Sequence, residues 1–139
     1  MRGGALFVTG TDTGVGKTVV TAALALAARG LGLQAGVMKP ITCGGDEDTR
    51  FLQEATGVED ALEDITPLSF RAPRSPEAAA RQEGRLVDLE PVWVALKRLR
   101  SRYELLLVEG VGGVRVPLKP GYEVRDFIRE MKVPALVVA

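Results

Sequence analysis

Gly10-Thr11-Asp12-Thr13-Gly14-Val15-Gly16-Lys17-Thr18 follows the apolar run Ala5-Leu6-Phe7-Val8 and opens an Ala- and Leu-rich run from Thr18 to Ala28. Strand, glycine-rich turn, Lys-Thr, helix is the order of a phosphate-binding loop. Glycines let the backbone wrap closely round a phosphate, several N–H groups can point inward, and the helix N-terminus adds partial positive charge. Lys17 can reach the outer phosphates, and the Thr18 hydroxyl can ligate Mg²⁺. Gly10 and Gly16 enclose five residues, one more than the usual pattern. The alternative, a tight strand-to-helix turn with an incidental lysine, does not explain why glycines, Lys-Thr and helix fall in that order.

Outward from the loop, apolar strands alternate with helices. Residues 5–10 read as a strand and 17–30 as a helix stopped by Gly30 or Gly32. Residues 34–39 form a second strand, ended by Pro40, which cannot donate to a ladder. Residues 42–45 read as a flexible turn. Asp46 is a candidate cap for a helix to about Ala55, residues 57–74 look like loop, and Ser75-Pro76 starts a short helix. Asp88 caps a helix to about Arg102 in which Leu89, Val92, Trp93, Leu96 and Leu99 recur at helical spacing, with Lys97, Arg98 and Arg100 on a solvated face. Trp93 on that stripe reads as core. Residues 103–110 form a buried strand, Gly110 to Gly113 a sharp turn, and 114–121 a hairpin or loop. Val124, Phe127, Ile128 and Met131 mark an amphipathic helix, and 134–139 a final buried strand. The expected fold is α/β, a P-loop NTPase-like parallel sheet with helices on both faces, in one domain over 1–139.

Composition narrows the chemistry. The chain of 139 residues is 46% hydrophobic and 26% charged, with a formal net charge of zero. That balance gives no general attraction to nucleic acid or to an anionic membrane. No run approaches ~18 consecutive apolar residues, and the N-terminus lacks the separate apolar segment of a signal peptide. One cysteine allows no internal disulfide, so a cytoplasmic location is expected. There is no histidine, so a metal must be held by oxygens, which suits Mg²⁺. Proton handling falls to lysine, carboxylates, substrate or water.

Ligands bind outside the carboxyl ends of the strands in such sheets. The loop, Lys39 and Glu109 all lie at such ends. Glu109 closes the strand whose carboxylate helps hold Mg²⁺ in phosphoryl-transfer sites. Thr18, Asp48 and Glu109, with phosphate oxygens and water, would form an all-oxygen Mg²⁺ site. Each has a plainer reading as well: Glu109 a strand-end charge, Asp48 a helix-terminal residue in competition with Asp46 and Glu47, Lys39 a solvated lysine.

Phe7 to Thr18 resembles the phosphate loop of the dethiobiotin synthetase family, extra residue included. Val37-Met38-Lys39-Pro40, Asp48 followed by Leu52-Gln53, Ser75-Pro76, and Val108-Glu109-Gly110-Val111-Gly112-Gly113 recur in that family's order. The resemblance implies an ATP- and Mg²⁺-dependent ligase of biotin synthesis. It would convert 7,8-diaminononanoate and CO₂ (or bicarbonate) to dethiobiotin through a carbamate and a carbamic-phosphoric anhydride, as a homodimer. It also implies that Thr13, Gly14, Val15, Gly16, Lys17, Thr18, Val19, Asp48, Glu109, Gly110, Val111 and Gly112 hold the nucleotide, with Thr18, Asp48 and Glu109 on Mg²⁺. Lys39 and Lys17 would be catalytic. Thr13, Lys39 and Cys43 would face the substrate, Cys43 standing where the family carries Ser or Thr. The family continues past this point with segments that hold adenine and help bind the substrate carboxylate, so the chain reads as the amino-terminal two-thirds of that domain. Two other classes compete: a partitioning or regulatory ATPase of the deviant phosphate-loop group, whose additional lysine would fall in Thr11-Asp12-Thr13, and a nucleotide-binding remnant without turnover.

Overall fold

In the computed structural model, which describes residues 3–139, the elements run β1 (Gly4–Gly10), α1 (Lys17–Gly30), β2 (Ala35–Met38), β3 (Ile41–Cys43), α2 (Glu47–Thr56), α3 (Leu62–Ile65), β4 (Leu68–Phe70), α4 (Pro76–Gln82), α5 (Glu90–Arg102), β5 (Leu105–Gly113), β6 (Pro117–Lys119), β7 (Tyr122–Glu123), α6 (Val124–Met131) and β8 (Ala135–Val138). Four strands form a parallel sheet in the order β2-β5-β1-β8. Leu106, Leu107 and Val108 of β5 are fully buried, as a strand covered on both faces requires.

Alternation along the strands divides the core. On one face Ala22, Ala25 and Ala28 of α1, Leu52 of α2 and Ile65 of α3 pack on Val37 and Leu107. The alanines bring α1 close to the sheet. On the other, Ala79, Leu96, Leu99 and Phe127 of α4, α5 and α6 pack on Phe7, Met38 and Val108. Trp93, half-buried, lies 4.7 Å from Phe127 between ring centroids. The P-loop NTPase-like sheet with helices on both faces is the architecture expected.

The helix ends follow local chemistry. Ser75 Oγ accepts the Ala78 N–H at 3.3 Å, with Pro76 at the first position of α4. Asp88 Oδ1 accepts the Glu90 N–H at 3.0 Å, one residue ahead of the cap itself. Glu123 and Asp126 close a capping box on α6. Asp46 occupies the cap position of α2 but makes no capping bond, because its carboxylate instead pairs with Arg50 at 2.9 Å.

Four expectations are corrected. The stretch 57–74 is not wholly loop: it holds α3 and β4. Leu68 and Phe70 are buried either side of exposed Ser69, an alternation too short to read without the partner strand. That partner is β3, parallel to β4, so Thr42 and Cys43 are strand and only Gly44-Gly45 turn. Gly110, Gly112 and Gly113 continue β5. A register shift past Val8 pairs Gly10 with Gly113, a bulge of the kind that absorbs glycines within a strand. Finally, β8 is not buried. Ala135, Leu136 and Val137 are exposed, Val137 at 60%, because β8 is the edge strand and, among the described residues, pairs in the sheet with β1 alone.

Candidate active site

The loop after β1 leads directly into α1. Gly16 stands at the cap of α1 with φ 101°, a left-handed conformation open to glycine, and no side chain caps the helix. The first-turn N–H groups are therefore left for a ligand. Asp12 shapes the loop from within: its Oδ1 accepts the Thr13 N–H at 2.7 Å, and its carbonyl accepts Lys17 Nζ at 3.1 Å. Burial pushes the Lys17 ammonium below the ordinary lysine value; Glu109 opposes this and Lys39 adds to it.

Alternation on β5 aims Glu109 at the α1 side, the side of Leu107. There Thr18 Oγ1 donates to Glu109 Oε2 at 2.9 Å. Lys39, 4% exposed at the end of β2, donates from Nζ to the same oxygen at 3.0 Å, and Nζ lies 3.3 Å from Asp48 Oδ2. The Lys39 backbone is pinned by its N–H to the Ile65 carbonyl at 2.9 Å. Glu109 is 1% exposed, and its Oε1 is buried with no hydrogen-bond partner among the described residues. Asp48 is half-exposed.

These groups open on a cleft of about 360 Å³ lined by Thr13, Gly14, Gly16, Lys17, Thr18, Val19, Lys39, Thr42, Cys43, Asp48, Glu109, Val111 and Gly112. Nearly every residue expected at the site lines it. Val15 and Gly110 do not. Val15 turns its side chain onto Gly10, where an added Cβ would come within 2.8 Å of Val15 Cγ2. Gly110 lines a small apolar cavity behind the sheet, with Phe7, Ile41, Leu118 and Phe127. Thr42 is the lining residue that sequence reasoning missed. It is buried and donates to the Gly45 carbonyl at 2.7 Å; only its neighbour Cys43 gave a sequence signal. Burial pushes the Cys43 thiol up to about 11, against the pull of Lys39, so it enters the cleft as a neutral thiol.

Among the described residues no three acidic, Cys or His side chains gather as a metal cage. The donors that do converge are the Thr18 hydroxyl and the Asp48 and Glu109 carboxylates. That set leaves coordination positions for phosphate and water, as Mg²⁺ sites on nucleotides do. The orphaned Glu109 oxygen fits it, since buried carboxylate oxygens otherwise find a donor.

The sequence profile of the AAA domain family matches residues 4–139. The chain belongs to this family. Within it, this AAA domain is similar to proteins named ATP-dependent dethiobiotin synthetase BioD. It is 48% identical to that of Anaeromyxobacter dehalogenans over all of this chain and 63% of that protein. For Bacillus subtilis the values are 40%, all of this chain and 62% of that protein, and for Methanococcus vannielii 38%, 96% and 64%. The chain thus spans just over three-fifths of the length of the curated relatives it matches, and the resemblance read from its motifs is met.

Proposed function

We propose that the chain belongs to an ATP- and Mg²⁺-dependent dethiobiotin synthetase, acting on 7,8-diaminononanoate and CO₂. The observation that carries this reading is the meeting of Thr18, Lys39, Asp48 and Glu109 at the mouth of the phosphate loop, in a chain similar to proteins of that name. The substrate brings its own nucleophiles. One amine captures CO₂ as a carbamate, and a carbamate oxygen attacks the γ-phosphate and releases ADP. The second amine attacks the carbonyl carbon of the resulting anhydride, displacing phosphate to close the cyclic urea. The protein must then align two anions and neutralise their charge, which needs cations and N–H dipoles rather than a strong base.

The roles divide accordingly. Loop N–H groups from Thr13 to Val19 and the Lys17 ammonium would bind the phosphates, with Val111 and Gly112 across the cleft. Thr18, Asp48 and Glu109 would hold Mg²⁺, which when bound offsets phosphate charge. Lys39 would face the carbamate and γ-phosphate, with Thr13 and Cys43 on the substrate side. A thiol is a weaker donor than a hydroxyl, so Cys43 contributes packing more than a hydrogen bond. A cytoplasmic homodimer completes the reading. No helix among the described residues is long and apolar enough to cross a membrane.

The test is ADP release from ATP, Mg²⁺ and bicarbonate with and without diaminononanoate, with product identified by mass. Diaminononanoate-dependent release with dethiobiotin formed is expected. ATP hydrolysis indifferent to diaminononanoate would instead mark a regulatory ATPase.

A further inference from the structure

A carboxylate as deep as Glu109 needs a cation beside it. Lys39 supplies one, and supplies it twice over: a single ammonium stands 3.0 Å from Glu109 Oε2 and 3.3 Å from Asp48 Oδ2. Thr18 gives its proton to the same Glu109 oxygen at 2.9 Å, while Oε1 stays buried and unpartnered. The oxygens assigned above to a divalent cation are thus already gathered round a monovalent one that belongs to the chain. The other nearby cation, Lys17, is turned away onto the Asp12 carbonyl.

We propose that Lys39 is a resident placeholder for the metal: it positions Glu109 and Asp48 before the metal arrives, and metal entry displaces its ammonium into the cleft. The inference rests on the proposed metal site and goes beyond it. The two cations compete for the carboxylate pair, since like charges a few ångströms apart in a partly buried site repel strongly. The Lys39 backbone is fixed at Ile65, so the displacement is a swing of the flexible stem, in a cleft that Thr42 and Cys43 also line. Once displaced, the ammonium has lost both carboxylates and needs an anion. Metal and phosphate should therefore bind cooperatively, with Lys39 as the link. Glu109 and Asp48, in turn, never stand uncompensated.

The test is Mn²⁺ binding to the full chain, followed by electron paramagnetic resonance with and without ADP. Wild type should bind Mn²⁺ weakly alone and more tightly with ADP. Lys39→Met should bind Mn²⁺ alone at least about tenfold more tightly than wild type, with a smaller gain from ADP. Glu109→Gln should lose the site. Lys39→Met binding no tighter than wild type, with Glu109→Gln still losing the site, would overturn the placeholder and leave the metal site standing. Glu109→Gln binding like wild type would overturn both. Lys39→Met leaves Glu109 buried without its cation and can fail to fold. The ¹⁵N ammonium signal of Lys39 in the wild type then decides: a shift on saturation with Mg²⁺ and ADP supports displacement, and an unmoved signal refutes it.

Discussion

Lys39 and Cys43 sit close together in sequence and face the same cleft. Lys39 pairs with two carboxylates. If it acts on transferring anions, Lys39→Ala should lower turnover on the order of a hundredfold. The nucleotide dissociation constant measured without metal should stay within about threefold, because Lys17 and the loop amides remain; steady-state kinetics and calorimetry separate the two effects. Cys43 is raised from 9.0 to about 11 by burial. At pH 9 its thiolate fraction, and hence its alkylation by iodoacetamide, should be about 50-fold below that of the urea-unfolded chain. The linkage has a definite sign. A thiol raised in the folded state contributes nothing extra below pH 9.0, where both states are neutral. Stability then falls as pH rises towards 11, because the unfolded chain ionises first.

Strand β5 shows how an element can serve two masters. Its even-numbered residues Leu106 and Val108 build the core under α5 and α6, while Leu107 and Glu109 face α1. Gly110 belongs to the first set. A Cβ there would lie 2.7 Å from Phe7 Cε1, so Gly110→Ala should cost about 1–3 kcal/mol by overpacking, read from urea unfolding. Because Glu109 is the next residue, the same variant should also disturb the site, whereas loss of a cap on α6 should not. Asp126→Ala removes one half of the capping box, the 2.8 Å bond from the Glu123 N–H. It should cost about 1 kcal/mol with metal binding unchanged.

For the molecule as a whole, the two faces of the sheet have different tasks. The face bearing α1 carries the loop and Glu109. The opposite face is tied together by aromatic rings: Phe127 packs edge-on to Phe7 at 6.1 Å and tilted against Trp93 at 4.7 Å, joining α6, β1 and α5. Phe127→Ala should therefore cost about 3–5 kcal/mol, measured by urea denaturation. At the end of the sheet away from the loop, buried Asp60 accepts from Arg102 and from the Tyr103 hydroxyl, while Arg29 donates to the Ala35 and Thr56 carbonyls. Arg29 thus ties α1 to α2 and β2, and Asp60 ties the loop after α2 to the end of α5.

The loop, α1, the addresses of Lys39 and Glu109 and the parallel α/β plan are all legible along the chain. Each of these rests on neighbours along the chain: glycines before Lys-Thr, apolar runs of strand length, prolines and caps. What meets what is settled in three dimensions. Thr18 and Glu109 are 91 positions apart, Lys39 and Glu109 70, and nothing local to any of them says that one ammonium spans two carboxylates. The same holds for β3 and β4, too short to read until they pair, and for β8, whose apolar pattern predicts burial and whose edge position denies it. Periodicity tells which face of an element is apolar. What lies against that face is decided by the rest of the chain, and with it the burial and charge on which this site depends.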